Sequence, residues 1–78
     1  MRFTILSDEG ERLGSVSFAE GRFETDDLYA EDIAERIQER YRELRSAGGY
    51  DDPERLVRAT LERASADTGA RFVRDPDD

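Results

Sequence analysis

The chain has no cysteine, no histidine, no lysine and no tryptophan among its 78 residues, and only two prolines. Without cysteine it has no disulfide framework and no thiolate to hold a soft metal or attack a substrate. Without histidine it lacks the commonest metal ligand and the side chain best suited to moving protons near neutral pH. No apolar run approaches the ~20 residues needed to cross a bilayer. The opening Met1-Arg2-Phe3-Thr4-Ile5-Leu6 also lacks the apolar stretch and cleavage site of a signal peptide. The expectations that follow are a mature N-terminus, no membrane contact and a cytoplasmic location, since a cysteine-free chain suits a reducing compartment.

What the chain has in abundance is charge. Twenty acids face twelve bases for a net charge of −8, and charged residues make up 41% of the sequence. Ordinary globular chains carry about 25%, so composition alone leans toward disorder and periodicity has to decide. Every base is arginine. A small acidic protein with a carboxylate-rich, lysine-free surface resembles the cytosolic proteins of halophilic archaea and their viruses, where dense carboxylates hold water and net repulsion limits self-association. GC-rich codon usage in an actinobacterium or its phage produces the same replacement of lysine by arginine.

Periodicity points to a folded domain. Residues 2–7 and 12–18 alternate as strands, with Phe3, Ile5, Val16 and Phe18 on one face. Between them Asp8-Glu9-Gly10-Glu11 reads as a four-residue loop with Gly10 left-handed, a register that sets Leu6 opposite Leu13, Ile5 opposite Gly14 and Phe3 opposite Val16. A two-residue turn at Glu20-Gly21 then brings Phe23 opposite Phe18. From about Asp27 to Ala47 the period changes to that of a helix, with Tyr29, Ile33, Ile37, Tyr41 and Leu44 as its apolar stripe, Thr25, Asp26 or Asp27 as its cap, and Gly48-Gly49 as its stop. Asp51-Asp52-Pro53-Glu54 opens a second helix whose buried face is Leu56, Val57, Thr60, Leu61 and Ala64 and which Gly69 ends. Ala70 to Arg74 is a short fourth strand. The predicted fold is a single α+β domain over residues 1–78: an antiparallel β-meander of three strands covered on one face by an α-helical hairpin, with the C-terminal strand beside the first, order 4-1-2-3.

Chemistry finds little purchase on this pattern. Paired carboxylates could serve glycosidic chemistry or hold Mg²⁺, but twenty acids in so short a chain produce neighbouring pairs by chance. Neither Asp8-Glu9-Gly10-Glu11 nor Asp51-Asp52-Pro53-Glu54 has the ligand spacing of a calcium loop. Gly48-Gly49 lacks the Lys-Ser/Thr of a phosphate loop. Even the most arginine-rich stretch, residues 35–63, holds seven arginines and seven acids, which leaves no electrostatic footprint for direct nucleic-acid binding. No catalytic residue, cofactor, metal or small-molecule substrate is expected.

Two surfaces remain. Leu6 and Leu13 point away from the helices in the register above, and either Phe72 or Val73 must join them. Leu6, Leu13 and Val73 are therefore the expected interface of a non-catalytic protein acting through protein–protein contact, as a binding, assembly or accessory subunit, with a homodimer favoured. The alternative is an acidic nucleic-acid mimic that inhibits a DNA- or RNA-binding protein such as a host defence nuclease. Glu31, Glu35, Glu39 and Glu43 recur every four residues along the first helix and would form its acidic ridge.

Overall fold

In the computed structural model, which describes residues 1–76, the alternating segments become strands β1 (Arg2–Leu6), β2 (Arg12–Ala19) and β3 (Arg22–Glu24). A 3₁₀ turn at Leu28–Ala30 leads into helix α1 (Glu31–Ala47), followed by helix α2 (Pro53–Thr68) and strand β4 (Arg71–Arg74). The strands form one antiparallel sheet in the order β3-β2-β1-β4. This is the expected α+β architecture, with β4 beside β1. Phe3, Ile5, Val16 and Phe23 from the sheet meet Ala34, Ile37 and Tyr41 from α1 and Leu56, Val57, Leu61 and Ala64 from α2 in a single core. The rings of Phe18 and Phe23, directly opposite each other across the hairpin, lie 4.6 Å apart and both pack on Tyr41, at 5.3 and 5.6 Å.

Local sequence accounts for most of the element boundaries. Glu20 and Gly21 both adopt positive φ, 53° and 80°, as the tight hairpin turn matching strand twist requires. Asp52 caps α2 by accepting the Glu54 N–H at 3.0 Å, Pro53 opens the helix, and Gly69 closes it in the left-handed conformation. The buried face of α2 consists of Leu56, Val57, Thr60, Leu61 and Ala64, as its spacing implies. The Thr60 hydroxyl, fully buried, donates to the Leu56 carbonyl at 2.7 Å and so carries no unpaired polar group into the core.

Three expectations need correction. The first hairpin has a shorter loop: the Ser7 N–H donates to the Glu11 carbonyl at 2.7 Å, while the Ser7 hydroxyl accepts from the Glu9 and Glu11 N–H groups at 3.2 and 3.1 Å. These bonds close the turn one residue early. Leu6 therefore pairs with Arg12, a bulge absorbs the extra residue, and Leu6 does not face Leu13, although Ile5 still faces Gly14 and Phe3 still faces Val16.

The second and third corrections concern the start of the first helix. Tyr29 is not part of the buried stripe; it is 93% exposed, and Leu28 beside it is 78% exposed. The buried line is Ala30, Ala34, Ile37 and Tyr41, with Ile33 and Leu44 half-buried at its margins. Gly14 explains the displacement. A Cβ added there would lie 3.0 Å from Asp27 Oδ2 and 3.1 Å from the Ala30 Cβ, so the chain entering α1 is pressed against β2 too closely for a large side chain. Asp27 makes no side-chain cap, and α1 begins after Ala30, also without one. The Asp27 carboxylate instead accepts the Ser15 N–H at 2.8 Å, and the Thr25 hydroxyl donates to the Ser15 carbonyl at 2.6 Å. Because β3 stops at Glu24, these side chains take over the backbone groups that a longer strand would have paired.

Across the other face of the helix pair, the Arg40 guanidinium spans from α1 to α2, donating through Nη2 to Asp67 Oδ1 at 3.0 Å and through Nε to Oδ2, and through Nη1 to Glu43 at 2.8 Å. Hydrogen bonds from Arg40 hold the Asp67 carboxyl below its ordinary value of 3.8, with charge attraction adding to them and desolvation opposing. A carboxylate depressed in the folded state stabilises above the unfolded value and loses that contribution as pH falls through the folded one. Thermal melts should therefore place Asp67→Asn below the parent chain near neutral pH, with the difference closing below about pH 4. A gap that persisted unchanged in acid would show that the pairing contributes nothing.

Candidate interaction surface

The two edges of the sheet are treated differently, and backbone accounting shows how. At the β3 edge, the outward Phe23 N–H donates to Gln38 Oε1 at 2.7 Å, and the Gly21 carbonyl accepts from Gln38 Nε2 at 3.3 Å. One side chain from α1 thus closes a three-residue edge against further pairing. At the other edge, the Asp75 N–H donates to the Arg2 carbonyl at 2.9 Å. Given the register in which Thr4 faces Val73 and Leu6 faces Arg71, the backbone groups of Arg71 and Val73 turn inward to β1. Those of Phe72 and Arg74 turn outward. Among the described residues, none is hydrogen-bonded to them.

Beside this open edge lies a groove of about 560 Å³ between β4, β1 and α2. Its apolar lining comes from Met1, Phe3, Val57, Leu61 and Phe72, which are buried or half-buried. Its rim carries the exposed charges Glu54, Arg58, Glu62 and Arg74. Arg58 and Arg74 balance Glu54 and Glu62 at this rim, while Arg71, on the same face as Val73, borders the groove through its backbone and carries its guanidinium toward the first hairpin loop. Arg74 is tied to Glu54 across the groove at 3.2 Å, whereas the Arg71 side chain is in no ion pair among the described residues.

The expected interface residues fall close to this edge. Val73 lies on the uncovered face and is 50% exposed, while Phe72, opposite Ile5, turns toward the helices and packs on the core. Leu6 is half-buried and diagonal to Val73 across the β1–β4 pair, and Leu13, beyond the bulge, is 39% exposed. Thr4, Ser15 and Ser17 share this face, so its apolar area is narrow and centred on the β4 side. Glu31, Glu35, Glu39 and Glu43 are all exposed along α1. Glu39 is paired with Arg36 at 3.5 Å and Glu43 with Arg40 at 2.8 Å, which neutralises the C-terminal half of that ridge.

Residue-level reading missed the open backbone and the groove, because edge status depends on which strand β4 joins and which helix covers the opposite side. Among the described residues, no group of three or more acids is placed to hold a metal ion, and no helix is long and apolar enough to cross a membrane. No protein-family model matches the chain, and no curated protein or solved structure compared with it does.

Proposed function

We propose that the chain is a non-catalytic protein–protein contact module that takes an extended strand onto the outer edge of β4. The observation that carries this reading is the inequality of the edges: Gln38 closes one, while the other leaves the Phe72 and Arg74 backbone open beside an apolar groove. Strand addition uses these parts, with main-chain hydrogen bonds giving affinity and pockets for alternate side chains giving selectivity.

Arg74→Pro isolates the edge from the fold. The Arg74 N–H faces outward, so proline removes no bond inside the sheet, and only an exposed ion pair to Glu54 is lost. In ¹⁵N-labelled protein, the Phe72 and Arg74 amides should shift and gain exchange protection once the edge is occupied, either as the protein concentration is raised or on mixing with a cell extract. The Arg74→Pro chain should show no such change at Phe72. Unprotected amides at both positions under all conditions would remove the reading.

A second reading, the acidic mimic of a nucleic acid, is supported by the exposure of Glu31, Glu35, Glu39 and Glu43 on one helix. Its partner would perturb those four amides and leave Phe72 untouched. The ion pairs at Glu39 and Glu43 weigh against it.

A further inference from the structure

Resting on the edge reading, we infer that the strand received by β4 is β4 of a second copy of this chain, antiparallel, with Val73 opposite Val73. Parity limits the choices first. The outward backbone groups belong to Phe72 and Arg74, so only registers that set even positions opposite even positions bring donors to acceptors.

Charge then selects among them. Centring the pair on Arg74 would place two guanidinium groups directly opposite each other and set Pro76, which has no N–H, against Phe72. Centring it on Phe72 would set Arg71 against Val73 and Arg74 against Ala70, leaving both arginines without an opposite charge. Centring it on Val73 sets Phe72 against Arg74 on each side of the axis, with reciprocal backbone hydrogen bonds. The same register sets Arg71 against Asp75 on each side, an opposite-charge pair.

The side chains are disposed to accept this arrangement. Arg71 shares the uncovered face with Val73 and Asp75 by alternation. Its exposed guanidinium lies beside the first hairpin loop, 3.7 Å from where a Cβ on Gly10 would sit, and is in no ion pair among the described residues. It would swing out over the edge to meet the incoming carboxylate. Asp75 Oδ1 accepts the Thr4 hydroxyl at 2.8 Å, which holds the carboxylate on the uncovered face and leaves its other oxygen for an incoming guanidinium. Val73, 50% exposed, would meet its copy at a position where antiparallel side chains approach most closely, beside Leu6. On the opposite face, Phe72 would meet the partner's Arg74 at the mouth of the groove, a cation–π geometry. The interface is isologous, as a two-fold axis demands.

The test uses the self-complementarity itself. Arg71→Asp sets acid against acid across the axis, and Asp75→Arg sets arginine against arginine, so each variant alone should self-associate roughly a hundredfold more weakly than the parent. Mixed in equal amounts, they restore two opposite-charge pairs and should recover a dimer with one copy of each. Sedimentation equilibrium reads all three samples, with circular dichroism confirming that both variants are folded. A mixture of folded variants that stays monomeric overturns the inference, as does a parent dimer that survives both substitutions. A parent chain that is monomeric alone, yet gains protection at Phe72 and Arg74 in cell extract, overturns it too and leaves the contact-module reading standing with a different occupant.

Discussion

Ile37→Ala is expected to cost about 3 kcal/mol of folding stability, within the range for removing a large aliphatic side chain from a closed core. Ile37 is fully buried and belongs to the cluster where α1 meets the sheet and α2. A chain of 78 residues has roughly 4–12 kcal/mol of total stability, so this truncation removes between a quarter and most of it. Ile33→Ala is the natural comparison, because Ile33 lies four residues earlier in the same pattern but is only half-buried. It should cost less than half as much. Urea unfolding followed by circular dichroism measures both, and equal losses would mean that the two positions share one environment.

Gly14→Val is the second large effect, expected at about 2–3 kcal/mol from overpacking. The cause is the seam between β2 and the turn that enters α1. There an added Cβ would lie 3.0 Å from the Asp27 carboxylate and 3.1 Å from the Ala30 methyl, and valine adds two methyls beyond that Cβ. Relief would require the 3₁₀ turn to lift, which would break the Asp27 bond to the Ser15 N–H at 2.8 Å. Gly14→Ala should show the same sign at smaller size, since one methyl needs a shift of only a few tenths of an ångström. The Ser15 amide shift and the melting temperature report the two consequences separately. Unchanged stability in both variants would show that the turn is not seated on Gly14.

The outcome at α1 shows where sequence patterning stops being sufficient. Tyr29, Ile33, Ile37, Tyr41 and Leu44 fit a helical stripe well, and the larger side chains drew the pattern toward themselves. The 3₁₀ turn and the helix after it direct Ala30 and Ala34 inward, because a glycine on a different element sets how near they must come. Small residues carry almost no weight in a hydrophobic pattern, yet here they decide its phase. The first hairpin fails for a related reason: a side-chain hydroxyl on Ser7 closes the loop, and alternation contains no information about hydroxyls. Helix α2 was legible throughout because its cap, its proline and its terminal glycine act locally. At the candidate surface, Val73 could be placed from alternation and the choice of β4's neighbour. The open carbonyls and N–H groups could not, since they depend on Gln38 reaching one edge and on no described residue reaching the other.

The position of β1 has a consequence for how the chain assembles. As an inner strand it needs neighbours on both sides, one supplied by the adjacent hairpin and the other by β4, whose Asp75 reaches Thr4 across 71 positions of sequence. The hairpin partner can form within microseconds of its synthesis, whereas the long-range partner exists only once residues 71–74 have been made. During that interval β1 carries a vacant flank, and at high local concentration a C-terminal strand from a neighbouring molecule competes with the chain's own. Ser65 counters this by donating from its hydroxyl to the Ala70 carbonyl at 2.6 Å, folding the connection back so that β4 is delivered to its own β1. Loosening that short tether would favour exchange of strands between molecules, a route to association distinct from two complete sheets meeting edge to edge.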